Sequence, residues 1–161
     1  MQSPARQISG QIKLDNIMTK QPLITVSEFE ELCEEQLPFV ALMSLSVEEI
    51  GYGHARLRLP ASDSMLRPGG TVSGPAMMGL ADAVMYAAIL GQIGRVDQAV
   101  TTNLNCNFLR RPQPVDIIGE GKLLKVGRRL AVGEVTMFTI GEEDAPVAHV
   151  TATYAIPPDH L

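Results

Sequence analysis

A chain of 161 residues with 45% hydrophobic and 19% charged side chains has the balance of one globular domain with a substantial core, not of a disordered segment. Aromatics amount to 4% and Trp is absent, so the core must rest on aliphatic side chains and the eight Met. A net charge of −5 argues against a nucleic-acid surface, which needs clustered, uncompensated Lys and Arg; an anionic ligand would have to be held by a local basic patch.

Residues 1–25 are polar and weakly patterned and read as a flexible N-terminal arm. Met1 to Asn16 lack the apolar stretch of a secretory signal, so the expectation is a cytoplasmic protein. Residues 26–157 read as a single domain. Ser27 and Glu30 have capping-box spacing and predict a short helix ended by Pro38. From there to Leu59 the period is two: Met43, Leu45 and Val47 alternate with Ser44, Ser46 and Glu48. After a turn at Gly51–Gly53, Ala55, Leu57 and Leu59 alternate with His54, Arg56 and Arg58, which predicts a half-buried antiparallel hairpin.

Residues 60–73, rich in Pro, Gly and Ser, predict a loop. Gly74 to Gly94 is apolar on nearly every face and carries one charge, Asp82. Its length would allow a membrane span, but the carboxylate, the internal Gly79 and the strand-like sequence on both sides favour a buried helix enclosed by a sheet. Four strands follow. In the first, Val100, Thr102, Leu104, Cys106 and Phe108 alternate with Thr101, Asn103, Asn105 and Asn107. Residues 115–126, 130–140 and 146–156 give the others, the last with Ala148, Val150, Ala152, Tyr154 and Ile156 on one face. Gly119, Gly121 and Gly133 weaken the middle strands but let a sheet curl closely round a helix. The order predicts an α+β fold with a long central helix wrapped by a curved antiparallel sheet of about six strands.

Cys33 and Cys106 have neither a CxxC partner nor a ligand-spaced His, so they read as reduced buried thiols, with no metal site. His54, His149 and His160 fall in no metal or triad spacing and read as structural or solvated. Met77, Met78 and Met85 read as core filler or as lining of an apolar pocket.

Asp82 is the first candidate for chemistry. A carboxylate in an apolar helix is costly if buried unpaired, so it is paired, protonated, exposed at an edge, or set at a working pocket. Of its helical neighbours Met78, Gly79, Met85 and Tyr86, only Tyr86 offers a polar group, and Tyr86 is also a candidate substrate-binding residue. Ser73, Gly74 and Pro75 make a good helix start, either a simple cap or an oxyanion site built from exposed N–H groups and the helix dipole. Pro75 donates no N–H, which leaves Gly74. Eight residues separate Gly74 from Asp82, roughly 12 Å along a helix axis. Both can serve one carbonyl only if they come from different subunits, which requires a homodimer, with pairing of dimers into a homotetramer left open.

The segments RPGGTVSGPAMMGLADAVMYAAI, TTNLNCNFLRRP, GKLLKVGRRLAVGEV and VAHVTATYAI resemble the hotdog-fold PaaI-like acyl-CoA thioesterases, over about residues 36–157. The resemblance implies that Asp82 is the catalytic carboxylate, as nucleophile or general base, that Gly74 is the oxyanion donor, and that Thr101 positions water. Where many members have Asn, His and a second Gly, this chain has Arg67, Ser73 and Pro75; Arg67 is suited to grip a substrate carbonyl or carboxylate. Lys125, Arg128 and Arg129 at one turn, and Arg110 and Arg111 at a strand end, are positions that the resemblance implies for the nucleotide end of CoA. The expected activity is hydrolysis of acyl-CoA, with no cofactor beyond the CoA of the substrate. Two alternatives stay open: a hotdog hydratase or dehydratase, disfavoured because Ser73 stands where a His would help, and a non-catalytic acyl-CoA-binding protein.

Overall fold

Thr25 opens the first helix of the computed structural model, which describes residues 20–158. Its hydroxyl accepts from Glu28 N–H (3.2 Å), and the Glu28 carboxylate accepts from Thr25 N–H (2.7 Å), a reciprocal capping box. The capping pair of helix α1 (Val26–Gln36) therefore lies two residues before the expected Ser27–Glu30 pair. The physical reason is burial. With Thr25 as the cap, the flanking positions are Ile24 and Phe29, both buried, whereas Ser27 as the cap would place exposed Glu31 at the inner one. The assigned arm lies outside the described residues up to residue 19. Its last part is packed, since Ile24 is buried and Leu23 N–H donates to the Gly91 carbonyl (2.8 Å), so the domain begins before residue 26.

Pro38 ends α1, as expected, but also occupies the first position of a second short helix, α2 (Pro38–Leu42), where the sequence period reads as strand. Ser44, in the left-handed region (φ 53°), turns the chain from α2 into the sheet.

The sheet has six strands, all pairs antiparallel: β1 (Ser46–Gly51), β2 (His54–Leu59), β5 (Val100–Phe108), β6 (Ile117–Val126), β7 (Leu130–Thr139) and β8 (Ala148–Ala155), in the order β1-β2-β6-β7-β8-β5. Its outer face carries a charge ladder in which Arg56 pairs with Glu48 and Glu120, Arg58 with Glu48 and Asp116, and Glu134 with Lys122 and His149. His54 meets Glu49 there at 3.0 Å, so two of the three histidines are hydrogen-bonded to carboxylates of the outer face; His160 lies outside the described residues. In the predicted loop, a 3-10 turn (Asp63–Met65) precedes two short paired strands, β3 (Leu66–Arg67) and β4 (Thr71–Val72).

Helix α3 (Gly74–Ile93) lies across the inner face of the sheet. Among the described residues it alone is long and apolar enough to cross a membrane, and most of it is buried inside the fold. Glycine makes room for it: a Cβ at Gly121 would lie 2.5 Å from Val84 Cγ1, and one at Gly133 2.7 Å from Met85 Sδ. The enclosure is incomplete. Pro75 and Met78 are exposed, and Gly79 and Asp82 are half-buried, so one stripe of α3 escapes the sheet and is only partly covered by α2. Met77 and Met85 fill the core; Met78, 39% exposed, does not. Cys33 is buried, and that burial pushes its thiol up to about 11, whereas Cys106 is only half-buried.

Candidate active site

The polar groups around Asp82 come from two strands that meet at it. Thr101 Oγ1 donates to Asp82 Oδ1 at 2.5 Å, and Tyr154 Oη donates to the same oxygen at 2.6 Å while lying 3.0 Å from the Asp82 carbonyl. Neither bond is to Oδ2, and Asp82 forms no ion pair among the described residues. The carboxylate lines a depression of about 180 Å³ together with Thr101 and Tyr154, whose other walls include Leu37, Val40 and Ala99.

Two features of β5 and β8 produce this convergence. Thr101 stands opposite Tyr154 in the ladder, and a register shift between Thr101 and Asn103 interrupts the alternation of β5. Past the shift, Leu104, Cys106 and Phe108 oppose the buried Ala152, Val150 and Ala148, so they share the inner face with Thr101. Strict alternation groups Thr101 with the Asn row of the outer face; the bulge returns it to the inside. Val100, expected on the inner face, is 58% exposed.

Tyr154, read from the sequence as one apolar-face residue among others, is the partner that sequence reasoning missed. The available signal was a phenol hydroxyl on a buried strand face, which needs an acceptor, in a domain whose central helix offers one acid. Burial, followed by the charge of Asp82, raises the Tyr154 phenol well above the usual tyrosine range, so it remains a donor. Tyr86, expected at Asp82, lines the depression, but its hydroxyl is turned to the carbonyls of Val96 and Asp97 (3.4 and 3.3 Å). The cause is its place on α3, which aims it at the 94–99 connection. It stacks on Tyr154, ring centroids 6.3 Å apart, and burial pushes its phenol up to about 12.

Gly74 lies elsewhere. It is the first helical residue of α3, so its N–H has no intrahelical acceptor, and it lines a groove of about 770 Å³ with Arg67, Thr71, Met77, Phe108, Arg110 and Arg111. A Cβ on Gly74 would stand 3.2 Å from Phe108 Cζ, which places it at the far end of β5 from Thr101. Ser73 is the N-cap, its hydroxyl accepting from Ala76 N–H at 3.4 Å. Arg111 donates to the Gly69 carbonyl, while the exposed Arg67 and Arg110 form no ion pair among the described residues. The exposed Lys125, Arg128 and Arg129 stand at the β6–β7 turn, next to the Asp82 end of the sheet: Ala131 opposes Tyr154, and Ile156 N–H donates to the Arg129 carbonyl. The predicted site residues thus fall into two groups, one around Asp82 and one around Gly74.

A long helix held against a six-stranded antiparallel sheet defines the hotdog class. Residues 69–145 match the family model described as the thioesterase superfamily. The fold matches a proposed thioesterase of Silicibacter sp. TM1040 with a TM-score of 0.77 and 41% identity, over 86% of this chain and 95% of that one. A proposed esterase of Saccharolobus solfataricus is 26% identical over 118 residues, 73% of this chain and 77% of its own length. A mutant of the phenylacetic acid degradation protein PaaI from Thermus thermophilus shares the fold (TM-score 0.66, 22% identity, 74% of this chain and 99% of that one). The chain belongs to the thioesterase superfamily of hotdog-fold proteins.

Proposed function

We propose that the protein hydrolyses acyl-CoA thioesters at a site that two copies of the chain complete together. The observation that carries this reading is the Asp82 carboxylate, held by two hydroxyls on one oxygen and bonded to neither through the other, at the wall of a depression. Because Thr101 gives its one proton to Asp82, its oxygen is left to accept from water. A water that donates to Thr101 Oγ1 and to Asp82 Oδ2 is oriented with a lone pair toward the carbonyl carbon, which favours general-base over direct attack. Asp82 takes the proton, the thioester carbonyl oxygen gathers charge at the Gly74 N–H and helix N-terminus, and the C–S bond breaks. The proton passes to the thiolate, giving a carboxylic acid and CoA thiol.

The second copy follows from β5. This strand is nine residues long and has no charged residue, and among the described residues it pairs with β8 alone, so it presents an unblunted edge for another strand. Asp82 touches Thr101 at its start and Gly74 approaches Phe108 at its end. Antiparallel pairing of two β5 strands about a two-fold axis lays the start of one against the end of the other and brings Asp82 to Gly74 of the partner subunit. The arginines of the groove, Arg67, Arg110 and Arg111, would then receive the phosphates of CoA, and the apolar Leu37 and Val40 beside Asp82 the acyl group.

The test is free-thiol release from a panel of acyl-CoAs by the wild type and Asp82→Ala. The expected result is hydrolysis by the wild type and a loss of about 10²-fold in the variant. Equal rates remove Asp82 from the chemistry, and binding of CoA esters without thiol release marks a non-catalytic binder.

A further inference from the structure

Thr101 and Tyr154 form a cross-strand pair whose hydroxyls meet on one atom, Asp82 Oδ1, at 2.5 and 2.6 Å. Such convergence needs three separate elements to agree: α3 for the acid, β5 with its bulge for the threonine, and β8 for the tyrosine. Tyr154 is itself fixed on several sides. It is 2% exposed, its ring stacks on Tyr86, and Tyr86 in turn meets Phe29 of α1 at 5.9 Å between centroids. Its hydroxyl also lies 3.0 Å from the Asp82 carbonyl, so it sits against both the backbone and the side chain of the same residue.

We infer that Tyr154 is a positioning residue of the active site, whose hydroxyl locks the Asp82 carboxylate in the orientation that leaves Oδ2 for the water. The inference rests on Asp82 being the working carboxylate. A carboxylate bonded only to Thr101 can turn about its Cβ–Cγ bond, which exchanges the two oxygens; a second donor from the opposite strand, on the same oxygen, resists that rotation. A charge-assisted hydrogen bond of this length is among the stronger polar contacts of a protein interior. A donor fixed in advance on a rigid strand adds no reorganisation during the reaction. The Tyr154 hydroxyl has one proton and directs it at Asp82, so Tyr154 acts through Asp82.

The experiment is a double-mutant cycle of Tyr154→Phe and Asp82→Ala, measured by steady-state thiol release from whichever acyl-CoA the wild type turns over fastest. Phenylalanine keeps the ring and its stacking on Tyr86 and removes the hydroxyl alone. In Tyr154→Phe, kcat falls about 10–100-fold, the scale of a lost hydrogen bond to a charged group, while KM stays within about 2-fold. In the Asp82→Ala background the same change alters the residual rate by less than about 2-fold, because the group it positions is gone. Incorporating 3-fluorotyrosine at position 154, which keeps the hydroxyl, restores kcat. Unchanged kcat in Tyr154→Phe with an inactive Asp82→Ala overturns this inference and leaves the proposed function standing. A loss equal in both backgrounds also overturns it, since the residue would then act on the fold in general. Full activity in Asp82→Ala overturns the proposed function, and this inference with it.

Discussion

Gly74 and Asp82 ride on the same helix but open onto different depressions, Gly74 onto a groove beside Phe108 and Asp82 onto a smaller hollow beside Thr101. A single chain therefore holds two halves of the proposed site at opposite ends of β5. The Gly74 half has its own test. Ser73 is extended (φ −72°, ψ 150°), a conformation that a following proline favours, and proline is tolerated at the first helical position. Gly74→Pro deletes one N–H but also brings a Cβ to 3.2 Å from Phe108 Cζ and sets a proline before Pro75. Gly74→Ala, which adds the Cβ and keeps the N–H, is therefore the baseline from which kcat is expected to fall about 10²-fold, the cost of an oxyanion donor. A circular dichroism spectrum matching the wild type checks that the helix remains.

Thr101 is expected to matter through its hydroxyl and not its size. Thr101→Ser keeps a donor within reach of Asp82 and should retain activity within a few-fold. Thr101→Val, of similar shape, loses both the bond to Asp82 and the acceptor offered to water, and should lower kcat about 10–100-fold. Equal kcat in the two variants would show that the hydroxyl has no part in turnover.

Arg110, exposed at the rim of the groove, is expected to hold a phosphate of CoA. Arg110→Ala should raise KM for an acyl-CoA about 10-fold, and leave KM for the matching acyl-pantetheine, which lacks the nucleotide, nearly unchanged. The effect should shrink with added salt. An identical KM change for both substrates would place the nucleotide elsewhere, with Lys125, Arg128 and Arg129 as the next cluster to replace.

The charge ladder of the outer face sets an acid limit on stability. The hydrogen bond from Arg56 holds Glu48 below its ordinary value of 4.5, and that from His149, with Lys122 next, does the same for Glu134. A carboxylate lowered in the folded state stabilises the fold fully above its unfolded value and loses that contribution as pH falls through the folded one. The melting temperature is therefore expected to be nearly flat from pH 7 to about 5 and to drop below about 4.5 as these carboxylates protonate. Glu48→Gln should lower stability at neutral pH by about 0.5–1 kcal/mol and make the acid drop shallower. A drop of unchanged steepness in that variant would assign the acid limit to other groups.

The fold was legible because its largest signals are periodic. A helix apolar on nearly every face has to be wrapped, and glycines in the flanking strands mark where the wrapping is closest. Asp82, as a lone acid on such a helix, announced itself. Tyr154 did not, because an aromatic on the inner face of a strand looks like core until its hydroxyl is seen to need an acceptor. The bulge after Thr101 was invisible for another reason: TTNLNCNF alternates well enough without one, and only pairing with β8 reveals the shift. The PFVALMSLSV stretch holds apolar residues at both helical and strand spacing, so α2 is absorbed into the strand that follows it.

The most direct measurement of the shared site mixes two inactive proteins. Asp82→Ala and Gly74→Pro are denatured together in equal amounts, refolded so that subunits exchange, and assayed for thiol release. Each mixed dimer has one site with both lesions and one with neither, so random pairing restores about a quarter of wild-type activity. Activity that stays at the level of the parent variants in a demonstrably mixed dimer would contradict the account, because Asp82 and Gly74 would then have to act within one chain.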